Sequence, residues 1–175
     1  MRSVVWMGLI VLSLGMSGVW AASVPAKGKA KAPPAMHSLG DTVVKMPLAK
    51  GVSLEDAAQS MKLRANLLNM QLVAELPLSK QVAAISGKAE RHATIFQFCD
   101  ALTARKMLDY SLDFAAYLPC RIALVEDEKG QGWLVMMDLN LLINVSNLQP
   151  ELKAKAIEVR DHLENIMRAG ASGDL

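Results

Sequence analysis

Two β-forming runs, Cys120-Arg121-Ile122-Ala123-Leu124-Val125-Glu126 and Trp133-Leu134-Val135-Met136-Met137-Asp138, flank the polar segment Asp127-Glu128-Lys129-Gly130-Gln131-Gly132. Strands this close along the chain pair antiparallel, because a parallel return needs a crossover of a dozen or more residues. The glycines permit the tight reversal. Whatever else the chain builds, it builds around an antiparallel hairpin. A further run, Thr94-Ile95-Phe96-Gln97-Phe98, is apolar on both sides, as a strand inside a sheet is.

The elements around these strands alternate in type. Asp41 to Pro47 is a short extended run. Ser53 with Asp56 three residues on is a capping-box variant, and Leu54, Ala57, Ala58, Met61 and Ala65 recur at helical spacing behind it. Met70, Leu72 and Ala74 alternate with Gln71, Val73 and Glu75, which predicts a strand ending before Pro77; Leu78 to Ile85 then forms a short helix that Gly87 stops. Asp100 caps a helix through Leu108, with Leu102 and Met107 or Leu108 turned inward and Arg105 and Lys106 facing water. A short turn after Asp113 reaches Leu118-Pro119, where the proline biases its predecessor to extended geometry. Asn140 to Asn144 makes one helical turn. The last helix starts at Pro150 and ends at Gly170. Its stripe of Leu152, Ala156, Val159, Leu163 and Ile166 or Met167 serves either core packing or a narrow dimer seam. The order of elements predicts an α+β fold: an antiparallel sheet of four to five strands with helices packed on one face, a two-layer sandwich.

Ahead of this domain lies an export signal. Residues 1–22 carry Arg2, an apolar stretch from Val4 to Leu14 and the small-x-small site Val19-Trp20-Ala21, which predicts cleavage after Ala21 or Ala22 and a periplasmic or secreted product. Left uncleaved, the same segment would be the chain's only membrane anchor. Residues 23–39 form a flexible Ala/Lys/Pro linker, too poor in apolar side chains to pack, and residues 40–175 form a single domain with its C-terminal helix over 150–169. At 52% hydrophobic residues the chain has ample material for one core. The formal charge of +2 comes from the leader: Arg2, Lys27, Lys29 and Lys31 precede Asp41, and from there on 15 basic residues meet 17 acidic ones, a charge of −2. Such a balance leaves no electrostatic footprint for nucleic acid, and none is expected as a partner. The domain also lacks Cys-x-x-Cys, a phosphate-binding glycine loop and the Gly-x-Ser-x-Gly nucleophile turn, which removes common enzyme classes.

The candidate site residues gather around the two cysteines. Cys99 closes the Thr94–Phe98 run and Cys120 opens the hairpin, and three states are open to them: a disulfide, two buried thiols, or a functional thiol site. A disulfide closing this loop contributes on the order of 3 kcal/mol, provided the Cα atoms lie within about 7 Å. Asp100 and Arg121 follow the cysteines directly and are candidate ligand contacts; a guanidinium near an accessible thiol favours the thiolate or an anion. No metal or cofactor is expected. His92 sits at the far end of the strand that Cys99 closes, and Met136 and Met137 point to opposite faces of theirs. Nor do Asp109 and Asp113, which flank a helix junction, form a catalytic carboxylate pair.

The segments Phe98-Cys99-Asp100-Ala101-Leu102, Leu118-Pro119-Cys120 running on to Glu126, and Gly132-Trp133 running on to Asp138, with the helix at Ser53, resemble the family of the domain of unknown function 302, over about Gly51 to Asn144. The resemblance implies a small α+β domain whose sheet is similar to the TATA-binding-protein fold, often a homodimer, with no assigned activity. It also implies that the cysteine pair is more than a crosslink, since cytosolic members carry it too. Asp100-Ala101 departs from the more usual Asn-Pro, and the helix from Pro150 reads as an addition to the family core. The function expected is a non-catalytic exported domain, homodimeric, binding a small ligand or a periplasmic protein partner near Cys99 and Cys120. The alternatives are a thiol redox or sulfur-handling protein using those cysteines, and a structural assembly component.

Overall fold

The computed structural model describes residues 38–174. The expected signal segment, and the linker as far as residue 37, lie outside the described residues. After a 3-10 turn at Leu39–Thr42 come β1 (Val43–Pro47), α1 (Leu54–Leu67), β2 (Gln71–Leu76), α2 (Leu78–Ser86), β3 (Ala93–Cys99) and α3 (Ala101–Tyr110). A second 3-10 turn, Leu112–Ala116, leads to β4 (Cys120–Glu126), β5 (Gly132–Met137), α4 (Leu139–Val145) and α5 (Pro150–Ser172). The fold is α+β, as expected, on a five-stranded antiparallel sheet in the order β1-β5-β4-β3-β2.

The hairpin strands β4 and β5 lie at the middle of this sheet, and their turn is built by one carboxylate. Asp127 Oδ1 accepts from the backbone N–H of Lys129 (2.8 Å) and Gln131 (3.0 Å), while Oδ2 accepts from Trp133 Nε1 (3.0 Å). Gly130 takes the left-handed conformation, φ 77°, that the reversal needs. Strand alternation then sorts the side chains. Thr94, Phe96, Phe98, Ile122, Leu124, Leu134 and Met136 are buried on one face; Ile95, Ala123, Val135 and Met137 lie on the other and stay half-buried.

Helices α1 and α5 cover the buried face. Ser53 and Asp56 form the expected capping box, with Asp56 N–H donating to Ser53 Oγ at 3.0 Å. The capped helix brings Ala57, Met61 and Ala65 against Leu163, Ile166 and Met167 of α5 within one core. Each large apolar side chain so buried contributes about 1.5–3 kcal/mol.

Of the two uses open to the α5 stripe, core packing holds for Ala156, Leu163, Ile166 and Met167, which are buried within the chain. Two other sequence expectations change here. The helix also runs past Gly170 to Ser172 and stops at Gly173, whose φ of 74° makes it the left-handed cap. Finally, Leu102 is 80% exposed while Thr103 and Met107 are buried, because the Asp100 cap sets the phase of α3 and turns Thr103 toward the sheet. Among the described residues no helix is long and apolar enough to cross a membrane.

Candidate functional site

The start of β2, the end of β3 and the start of β4 meet at one end of the sheet. Their register pairs Gln71 with Cys99 and Phe98 with Cys120. Met70, just before β2, therefore comes to the same sheet end as Cys99 and Cys120 although the three are far apart in sequence. From Asp100 the chain folds back as α3 and adds Met107 to the same neighbourhood. Between this sheet end and α3, α4 and α5 lies a cavity of about 60 Å³, walled largely by apolar side chains such as Phe98, Phe114, Ile143, Leu148 and Val159. Met70, Cys99, Met107 and Cys120 all line it.

Asp100 also borders the cavity, but its carboxylate is occupied by the helix. Oδ1 accepts from the backbone N–H of Leu102 and Thr103, both at 3.1 Å, and Oδ2 accepts from Thr103 Oγ1 at 2.7 Å. Partial burial pushes its pKa up, yet the hydrogen bonds from Thr103 and Leu102 outweigh that and hold the carboxyl below its ordinary range. Its role is to start α3 and fix Thr103.

Both cysteines are free thiols. Burial, and then the charge of Asp100, raise the pKa of Cys99. For Cys120, burial and then the neighbouring Cys99 push it up to about 11, with Arg121 opposing the rise. At neutral pH both therefore stay protonated, the opposite of the lowered pKa that marks an activated nucleophile.

Arg121 leaves the cavity. It pairs across the sheet with Gln97, is exposed, and lines a cleft of about 360 Å³ with Tyr117, Ala123, Val135 and Met137. This cleft forms where β4 and β5 part: their pairing runs from Glu126↔Gly132 only as far as Ala123↔Val135. Cys120 borders the cleft as well as the cavity.

The structure thus brings Cys99, Cys120 and Asp100 to one cavity and sends Arg121 to the adjoining cleft. His92 is at the opposite end of β3, where its backbone N–H donates to Glu126 Oε2 at 3.3 Å. Among the described residues no group of three or more His, Cys, Asp and Glu side chains is placed to hold a metal ion. Sequence reasoning missed Met70, Thr103 and Met107. Nothing in their local pattern marks them, since only the sheet topology brings Met70 and α3 to the cysteine end.

The family model described as domain of unknown function DUF302 matches residues 44–170. The chain belongs to this family. The match includes most of α5, so that helix is part of the family domain rather than an addition to it. Among solved structures the chain is similar to the uncharacterized conserved protein DUF302 from Bacillus stearothermophilus, with a TM-score of 0.61 at 14% identity, over 73% of this chain and 97% of that one. At that identity the likeness is one of fold. No curated protein matches the chain.

Proposed function

We propose that this chain is an exported, non-catalytic binding domain whose ligand occupies the cavity at the cysteine end of the sheet. The observation that carries this reading is the cavity, an apolar void of about 60 Å³ with both Cys99 and Cys120 in its wall. Sites for drug-sized molecules run to about 300–1,000 Å³, so the occupant is small. Catalysis is disfavoured because both thiols are held protonated and Asp100 is taken up by its cap. The test is xenon under pressure, followed by NMR of methyl groups. Signals of Ile143, Leu148 and Val159 shift with xenon pressure, and Ala156→Leu, which fills the void from α5, removes the response. A folded protein whose cavity methyls ignore xenon sinks the reading.

A thiol redox function is the second reading, favoured by the closeness of Cys99 and Cys120 that raises the Cys120 pKa. Oxidation would join the two sulfurs, releasing two protons and passing two electrons to an external disulfide. A thiol count that stays at two in a glutathione buffer poised at about −200 mV excludes that reading.

A further inference from the structure

Four of the side chains lining the cavity carry sulfur: Met70, Cys99, Met107 and Cys120. Two of them are almost fully enclosed, Met70 at 1% and Met107 at 6% exposure. The carboxylate and the two aliphatic hydroxyls of the lining are already engaged. Both carboxylate oxygens of Asp100 accept hydrogen bonds from the first turn of α3, the Thr103 hydroxyl donates to Asp100, and the Ser146 hydroxyl donates to the Leu142 carbonyl. No histidine is among the described residues lining the cavity. Two thiols and two thioethers, without a free carboxylate or an imidazole, make a soft donor set. Calcium and magnesium take oxygen ligands and zinc takes thiolates, imidazoles and carboxylates, whereas mixed thiolate and thioether sites select Cu(I).

We propose that the cavity binds one soft monovalent cation, Cu(I) or its redox-inert counterpart Ag(I), between the sulfurs of Cys99 and Cys120, with the thioethers of Met70 and Met107 completing its coordination. The inference rests on the cavity being the binding site and names its ligand class. On binding, both S–H bonds break, two S–metal bonds form and two protons leave to solvent; the cation arrives monovalent, so no electron moves. Two thiolates and one cation leave a charge of −1, which the Arg121 guanidinium beside Cys120 offsets in part. The cleft between β4 and β5 reaches Cys120 from the sheet's open face and supplies the way in.

Silver nitrate titrated into the reduced full-length protein in chloride-free buffer tests this, with native mass spectrometry for stoichiometry. The expected result is one Ag(I) per chain with two protons released. Cys99→Ser combined with Cys120→Ser abolishes binding. Met70→Leu and Met107→Leu, volume-conserving swaps that a core tolerates, keep the stoichiometry and weaken binding at least tenfold each. In protein with 13C-methyl methionine, the Met70 and Met107 methyl signals shift on silver addition while that of Met46 does not. Wild-type affinity in the double methionine variant, unmoved Met70 and Met107 methyls, or a site surviving in the double serine variant each overturns the proposal. Should xenon enter the cavity while silver does not bind, the cation assignment fails and the broader binding reading stands. Exclusion of xenon from the folded protein removes both.

Discussion

Gly170 of α5 and Met61 of α1 approach so closely that a Cβ on residue 170 would stand 2.6 Å from Met61 Cγ, with Leu134 Cδ1 at 3.0 Å and the Ala57 carbonyl oxygen at 3.2 Å. The glycine is thus what lets α5 settle on α1 and β5 together. Gly170→Ala gains about 1 kcal/mol in helix propensity but forces an overpacking that costs about 1–3 kcal/mol, because Met61 Cγ sits near the root of a buried side chain and the Ala57 carbonyl closes the other side. The expected balance is a net loss of about 1 kcal/mol or more in urea unfolding. A variant as stable as wild type would show that α5 shifts freely on the sheet.

Ser60 lies on the same buried side of α1, fully enclosed, and its hydroxyl has no hydrogen-bond partner among the described residues. An unsatisfied buried hydroxyl costs about 1–3 kcal/mol, and alanine is also the better helix former. Ser60→Ala should therefore raise stability by about 1 kcal/mol, seen as a higher denaturation midpoint at unchanged slope. A loss of stability would mean that the hydroxyl has a partner in solution, such as an enclosed water.

Much of the fold is legible wherever a local rule and the tertiary demand coincide. The hairpin turn, the Ser53–Asp56 box, the Asp100 cap and Pro150 at the head of α5 each act within a few residues of themselves. Where a residue answers to a distant neighbour the local rule misleads. Gly170 reads as a helix terminator, yet it is kept small by Met61 and Leu134. The α5 stripe fits a seam as well as a core, because periodicity names a face and not what covers it. In the candidate site, the cysteines and Asp100 are visible as neighbours of strand ends. Met70 and Met107 are not, since they join the cysteines only once β2, β3 and β4 are in register and α3 has folded back.

Asp100 offers a test that separates scaffold from ligand contact. Removing the cap with Asp100→Ala leaves the N–H groups of Leu102 and Thr103 without their acceptor and should cost about 1 kcal/mol. Asn keeps an acceptor oxygen, so Asp100→Asn should recover most of that loss. The folded-state pKa lies below the ordinary 3.8, so the ionised carboxylate's contribution is full above that value and fades as pH falls through the folded pKa. The difference between wild type and Asp100→Ala should accordingly narrow in acid. An equal difference at pH 7 and pH 2 would show that the charge adds nothing to the cap.

Cys120 has the opposite dependence. Its folded pKa of about 11 lies above the ordinary thiol value of 9.0, so the native state holds the proton more tightly than the unfolded chain does. The resulting stability is complete below pH 9, falls as the unfolded chain ionises above it, and is lost once the pH passes about 11. Across that window the slope amounts to roughly 2 kcal/mol, after discounting for partial exposure of the side chain. Urea unfolding of the reduced protein at intervals from pH 8 to 11 should show the decline, and Cys120→Ala, less stable at pH 8 through the space it leaves, should show a much shallower one. Alkylation gives an independent reading, with the iodoacetamide rate at Cys120 still rising at pH 10, where an ordinary exposed thiol has levelled off. A rate that levels near pH 9 would show that burial does not hold the Cys120 proton.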